Sequence, residues 1–382
     1  MNQNTNKLLF SLIRSAICGT VIEKSEKKLY SEELLPELID ISKKHDIMHL
    51  LALGLKQNSL ISNVDKSILE AVYRYEQNNY EYGVLCSALE SAEIAFMPLK
   101  GSIMRKYYKE KWMRTSCDID IFVHGNDLDK AISLLTDKFG YVYGKKGTHD
   151  VSLYAPSKVH VELHFDLIED GRINNSTEVL KSVWEYSAVR DGYKYCYEMT
   201  DAMFYFYHIV HMAKHFEKGG CGIRPFIDLW ILDKIETADI AERNNLLEKG
   251  CLSEFAQAVQ RLSRIWFEGE EKDSLSEQVE SYIFNGGVYG TVNNVFKIKA
   301  ANGVGKTQSF LGLVFLSKEK LEEIYPNLKK YPILFPFYQV KRWFRIFKKD
   351  KRNRVKKLTN IRNSVSKEDI NSTTALLDYL GL

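Results

Sequence analysis

Apolar positions along this chain change their period twice. From residue 1 to about 90 they recur at helical spacing: Leu9, Leu12, Ile13, Ala16 and Ile17 share one stripe, and Leu34, Leu35, Leu38 and Ile39 share another behind a Ser31 placed to cap the turn. Arg14 interrupts the first run, which therefore predicts an amphipathic helix rather than a signal peptide. From about 92 the runs shorten. "IAFMPL", "SIMRKYYKE", "DIDIFV", "DVSLYA" and "VHVELHF" are β-rich, separated by one clear helical stretch, "DLDKAISLLTDKFG". Beyond about 200 the helical period returns in "DAMFYFYHIVHMAKHF", "RPFIDLWILDKIE" and "SEFAQAVQRLSRIWFE". The pattern predicts an α+β protein: a helical region over 1–90, a compact mixed-sheet core over 91–198, and a helical region over 199–382. No internal repeat or low-complexity linker interrupts it.

Composition adds limits rather than a function. With 382 residues, 45% of them hydrophobic, the chain can bury a sizeable core. Its net charge of +3, from 53 basic and 50 acidic residues, says little about partners until the charges are placed. Six cysteines lie far apart with no CxxC pair, which argues against a disulfide framework or a zinc ribbon and predicts a reducing, cytoplasmic setting. Apolar runs such as "FLGLVFL" fall far short of the ~20 residues that cross a bilayer, so no transmembrane segment is expected. One stretch concentrates positive charge: "KRWFRIFKKDKRNRVKK", 341–357, with Trp343, Phe344, Ile346 and Phe347 interleaved. It suits peripheral contact with an anionic membrane or with nucleic acid, and equally a solvated helix whose aromatics dock on the body.

The candidate chemistry sits in the middle of the chain. In "DIDIFV" the alternation of a strand puts Asp118 and Asp120 on one face and Ile119, Ile121 and Val123 on the other. In "VHVELHF" His160, Glu162 and His164 share a face in the same way. If the two strands are neighbours, three carboxylates converge. Three acids in one cleft require a cation to stay ionised together, and Mg²⁺ or Mn²⁺ has the matching preference for oxygen. Ahead of them, Lys100-Gly101-Ser102 stands at a strand-to-helix turn that is either a phosphate site or ordinary turn and cap chemistry. Arg114, four residues before Asp118, either pairs with an acid or touches a phosphate.

Taken in order, Leu99-Lys100-Gly101, Arg114-x-x-x-Asp118-Ile119-Asp120 and Glu162-Leu163-His164 resemble the motifs of an uncharacterised bacterial nucleotidyltransferase family within the polymerase-beta-like superfamily. The likeness extends over most of the chain, although only these three short motifs are specific. Lys100 stands where the superfamily usually has a small residue before Gly-Ser. The resemblance implies a nucleotidyltransferase fold and transfer of a nucleoside monophosphate from an NTP, ATP among them, to an acceptor hydroxyl, with pyrophosphate leaving. It implies that Asp118 and Asp120 bridge two cations, that Glu162 holds the nucleophile-side cation and takes the hydroxyl proton, and that Lys100, Gly101, Ser102 and Arg114 bind the nucleotide. The acceptor stays open: small molecule, glycan, protein or RNA. The alternative is a catalytically silent module that binds a nucleotide or a partner through the same cleft.

Other candidates are weighed against these. His208, His211 and His215 recur at helical spacing, but Met212 stands where a zinc protease needs glutamate. His164, His211, His215, Arg224 and Asp228 form either the wall of a substrate pocket or a hydrogen-bonded polar core between two helices. "ANGVGKT", after a β-like "VFKIK", imitates a phosphate-binding loop, but too little chain follows to build the parallel sheet such a loop needs.

Overall fold

The computed structural model describes residues 3–61, 65–168, 173–287, 291–301, 303, 315–325, 327–346 and 360–382. Five helices lead: α1 (Gln3–Cys18), α2 (Lys24–Lys27), α3 (Leu35–Lys44), α4 (Met48–Gln57) and the long α5 (Asp65–Ser91). The core follows as β1 (Phe96–Pro98), α6 (Gly101–Met104), β2 (Asp118–Val123), α7 (Leu128–Phe139), β3 (Val142–Lys146), β4 (Asp150–Tyr154) and β5 (His160–His164). After α8 (Ser176–Lys181) and a small hairpin of β6 (Ser187–Val189) and β7 (Tyr197–Met199) come α9 (Asp201–Glu217), α10 (Arg224–Leu232), α11 (Ile240–Lys249), α12 (Ser253–Glu268), α13 (Ser274–Gly286) and α14 (Val292–Ala301). The last described helices are α15 (Lys318–Ile324), α16 (Asn327–Lys330), α17 (Phe335–Ile346) and α18 (Lys367–Tyr379).

Alternation along the strands builds a two-faced sheet. Its order is β1-β2-β5-β4-β3, and β2 with β5 is the parallel pair. Ile119, Ile121, Val123, Val151, Leu153, Val161 and Leu163 turn to the face covered by Leu85 and Leu89 of α5 and Ala131 and Leu135 of α7, and all are buried. Burying each aliphatic side chain of this size is worth about 1.5–3 kcal/mol, which fixes the register: a one-residue slip would put the aspartates into this core.

A second, larger core joins the helical regions from both ends of the chain. Phe10 of α1 stacks on Trp266 of α12 with centroids 4.4 Å apart. α1 and α4 approach closely at Gly54, where a Cβ would lie 2.3 Å from the Leu12 carbonyl oxygen.

Four local expectations change. "SIMRKYYKE" is not a strand: α6 and a 3-10 turn over Arg105–Tyr107 occupy it. "VFKIK" lies within α14, so its alternation is the accident of a short window. α3 begins at Leu35, with Pro36 in its first turn, and Ser31 does not cap it. β3 was not foreseen: its residues are exposed, which erases the apolar alternation that marks a strand. "ANGVGKT" lies outside the described residues apart from Ala301 and Gly303, as does 347–357 of the basic run. The described residues contain no helix long and apolar enough to cross a membrane, and all six cysteines are free.

Candidate active site

Parallel pairing of β2 with β5 brings the acids together. Asp118 stands opposite His160, Asp120 opposite Glu162, and Phe122 opposite His164. These pairs share the face turned away from the aliphatic core. Asp118 and Glu162 are half-buried, whereas Asp120 and His164 are buried. His164 Nε2 lies 2.9 Å from Asp120 Oδ1 and 3.5 Å from Glu162 Oε2.

The turn from β1 into α6 supplies a cation. Lys100 has φ 44° and ψ −118°, a conformation that a side chain disfavours, and its Nζ donates to Asp120 Oδ1 at 2.7 Å. The two chain segments are tied at the same place, since the Leu99 amide donates to the Asp120 carbonyl at 3.0 Å. Three acids were expected to repel one another without a metal; instead Lys100 and His164 both sit on Asp120, so the cluster has resident positive partners.

Behind β2 the loop 114–117 is held by buried donors. Arg105 binds the Ser116 hydroxyl and, through Nε, the Arg114 carbonyl at 3.1 Å. Ser116 Oγ then donates to the Asp118 carbonyl at 2.9 Å, and Asn78 donates to the Ser116 carbonyl at 3.0 Å. Gly101 packs on this loop, where a Cβ would lie 3.3 Å from the Ser116 Cβ.

Helices α9 and α10 close the other side. They and the sheet enclose a cavity of about 400 Å³ whose lining includes Lys100, Asp118, Asp120, Glu162, Lys214 and Arg224. Gly101, Arg114, His208, His211, His215 and Asp228 also reach it; Ser102 does not, and its amide donates to the Leu99 carbonyl at 3.1 Å. Arg114 realises the ion-pair alternative: its Nε lies 2.7 and 2.8 Å from the two oxygens of the buried Asp228, which also accepts from Tyr108 at 2.6 Å. Arg224 donates to Asp46 at 2.8 Å. His211 and His215 face each other with Nε2 atoms 3.0 Å apart, and His208 meets the Pro225 carbonyl at 2.9 Å.

With this geometry in view, a family model described as uncharacterised nucleotidyltransferase matches residues 31–268. The chain belongs to that family. No curated protein and no solved structure matches it. The matched span holds α3 to α12, so it includes every cavity residue named above.

Charge at this site is sorted by position. Burial pushes the Asp118 carboxyl up, and Asp120 beside it adds to the rise. Burial opposes ionisation of Asp120 too, but Lys100 and His164 outweigh it and hold that carboxyl well below the usual range. The His164 hydrogen bond keeps Glu162 low. Burial also works against charging His164, yet its bonds to Asp120 and Glu162 raise it. On the facing helix the imidazoles are neutral: burial pulls His208 and His211 down and takes His215 to about 3. Burial, with Lys218 and Lys100 nearby, lowers Lys214 from 10.5 to about 7.

The donor set suits a divalent cation. Two groups have ligand atoms within 4.8 Å of one another: Asp118 with His160 and Glu162, and Asp120 with Glu162 and His164. The three expected acids are therefore divided between two groups that share Glu162. Carboxylate oxygens fit hard Mg²⁺ or Mn²⁺, and His160, whose Nδ1 lies 3.9 Å from Glu162 Oε1, adds a nitrogen donor of the kind Mn²⁺ accepts.

Several cavity residues escape the motifs. Lys214 was findable, three residues from His211 and on the same helical face. His149 and Asp150 lie at the start of a strand already read as such, but nothing local marks them as cavity residues. Tyr108 and Asp46 act only through contacts across the fold, for which the sequence holds no local signal.

Proposed function

We propose that the protein transfers a nucleoside monophosphate from an NTP to an acceptor hydroxyl and releases pyrophosphate. The observation that carries this reading is the Asp120–Glu162 register, which gathers three carboxylates on the wall of one cavity inside a nucleotidyltransferase family span. Asp118, Asp120 and Glu162 would hold the divalent cation, with His160 and His164 as neighbours in the two donor groups. When bound, Mg²⁺ or Mn²⁺ supplies charge neutralisation at the phosphates and acidifies the attacking hydroxyl.

The chain's own groups do the rest. The acceptor oxygen bonds to the α-phosphorus as the bridging α–β oxygen bond breaks, and that electron pair leaves with pyrophosphate. Glu162, half-buried and shared by both donor groups, takes the hydroxyl proton. Lys100 and Arg224 set positive charge on the cavity wall where the triphosphate lies, beside the turn at Gly101. The Arg114–Asp228 pair positions the loop leading to Asp118 at the cavity wall.

One observation favours a second reading. Because Lys100 and His164 neutralise Asp120, the cluster is stable without metal, as a silent nucleotide-binding module would need. The two readings part on one experiment: the protein is incubated with each α-labelled NTP, Mg²⁺ or Mn²⁺ and a cell extract. Label appearing on an acceptor with wild type and vanishing with Asp118→Ala and Glu162→Ala supports transfer. Nucleotide-dependent thermal stabilisation with no labelled acceptor supports the silent module.

A further inference from the structure

One apolar helical stripe has no place in the reading above. In α17 and the 3-10 turn over Pro332–Leu334 before it, Ile333, Phe337, Val340 and Phe344 are 87%, 60%, 42% and 72% exposed. Their spacing of four, three and four residues sets them within about 60° of one another around a helix of 3.6 residues per turn. Other sides of the same segment are docked. Tyr338 stacks on Tyr325 at 4.7 Å, Gln339 donates to the Leu316 carbonyl at 2.5 Å, and Trp343 meets Phe315 edge-on at 5.1 Å. The helix is thus already held to the segment 315–325 before it and still turns a second apolar face to solvent.

Charge is concentrated in the sequence that starts within this helix and follows it. Residues 341–357 carry ten basic residues and one acidic, a net +9, so the remainder of the chain must carry −6 to reach the total of +3. Exposed Lys330 and Lys341 flank the stripe itself. An aromatic and aliphatic stripe bordered by cations is the composition of helices that lie in a bilayer interface. Ile333 and Val340 cannot stack on bases, so half of the exposed stripe has no use on a nucleic acid.

We propose that the Ile333–Phe337–Val340–Phe344 face of α17 docks onto an anionic lipid bilayer. The four side chains enter the boundary between headgroups and acyl chains, while Lys330 and Lys341 meet the anionic headgroups. Nucleotidyl transfer and membrane docking then occupy different parts of the chain, and either can fail without the other.

The test is sedimentation of the full-length protein with vesicles of phosphatidylcholine alone or mixed with phosphatidylglycerol. Binding is expected on the mixed vesicles, weaker at high salt, and at least severalfold lower on phosphatidylcholine alone. Phe337→Ser combined with Phe344→Ser should cut binding on the order of tenfold, with an unchanged circular dichroism spectrum and melting temperature. Equal binding to both vesicle types overturns the proposal, as does full binding by the double variant. Two further results also overturn it: stripe-dependent binding of labelled RNA with no vesicle binding, and stripe-dependent dimerisation in sedimentation equilibrium with no vesicle binding.

Discussion

Lys100 offers a perturbation that separates two forces at one residue. Its backbone sits at φ 44°, ψ −118°, and its ammonium bonds Asp120 Oδ1 at 2.7 Å. Strained positive-φ backbone at a residue with a side chain costs of order 1–3 kcal/mol. Losing one partner of a buried ion pair costs about 3–5 kcal/mol, and about 3 is the apt end here because the Lys100 side chain keeps 20% of its exposure. Lys100→Met removes the ammonium and keeps the strain. Lys100→Gly removes both, against roughly 0.5–1 kcal/mol of extra chain entropy in the unfolded state. Both variants should therefore be less stable than wild type in chelator, with the glycine variant more stable than the methionine one by about 1 kcal/mol. Urea unfolding at neutral pH measures both differences. Methionine equal to or better than glycine would refute the strain argument.

Metal supplies the second arm. In wild type a divalent cation must share Asp120 with a resident ammonium, whereas in Lys100→Gly the carboxylates have only His164 as a resident partner. Ligand stabilises the folded state by RT ln(1 + [L]/Kd), so tighter binding appears as a larger shift in the unfolding midpoint. Mn²⁺ should stabilise Lys100→Gly more than wild type, and Glu162→Gln in the glycine background should remove most of the gain. Equal stabilisation of wild type and Lys100→Gly would refute the competition between ammonium and metal, whatever the outcome of the transfer assay.

Three further outcomes are expected. Glu162→Gln should lower label transfer by at least ~100-fold while leaving the melting temperature within a few degrees, since it removes a proton acceptor and a metal ligand at a half-buried position. Asp228→Asn should cost about 3–5 kcal/mol in urea unfolding at pH 7, because it strands the buried Arg114 cation; and since burial is outweighed by Arg114 and the folded pKa of Asp228 lies below 3.8, wild type should lose this contribution as pH falls below that value while the variant lacks this part of the acid limb. Lys214 has a folded pKa of about 7 against 10.5 unfolded, so the folded state binds fewer protons between those values and stability rises with pH across that window; Lys214→Met should flatten the rise, as denaturation at several pH values would show.

The β-face of the site was legible because a strand's period is two. Once Ile119, Ile121 and Val161, Leu163 are assigned to a core, Asp118, Asp120, Glu162 and His164 have one face left to occupy, and the short parallel register does the rest. The helical wall was legible only as chemistry without geometry. Histidines at 208, 211 and 215 mark a polar helix face, but whether that face meets the sheet depends on how α9 packs, which no local period encodes. Arg114 shows the limit most clearly. Its position ahead of Asp118 left an acid pair and a phosphate contact both open, and nothing local marked the acid the structure supplies, Asp228, 114 residues away and held through two short bonds. Lys100 shows the converse: the motif kept it beside Gly101, and the strained backbone turns it onto the acids. Its ammonium and the His164 imidazole neutralise Asp120, the most deeply buried of the three acids, while Asp118 and Glu162 stay half-exposed at the cavity. A cation that used all three carboxylates would have to compete with Lys100 for Asp120, which is why metal affinity in the Lys100 variants, rather than stability alone, is the measurement that discriminates.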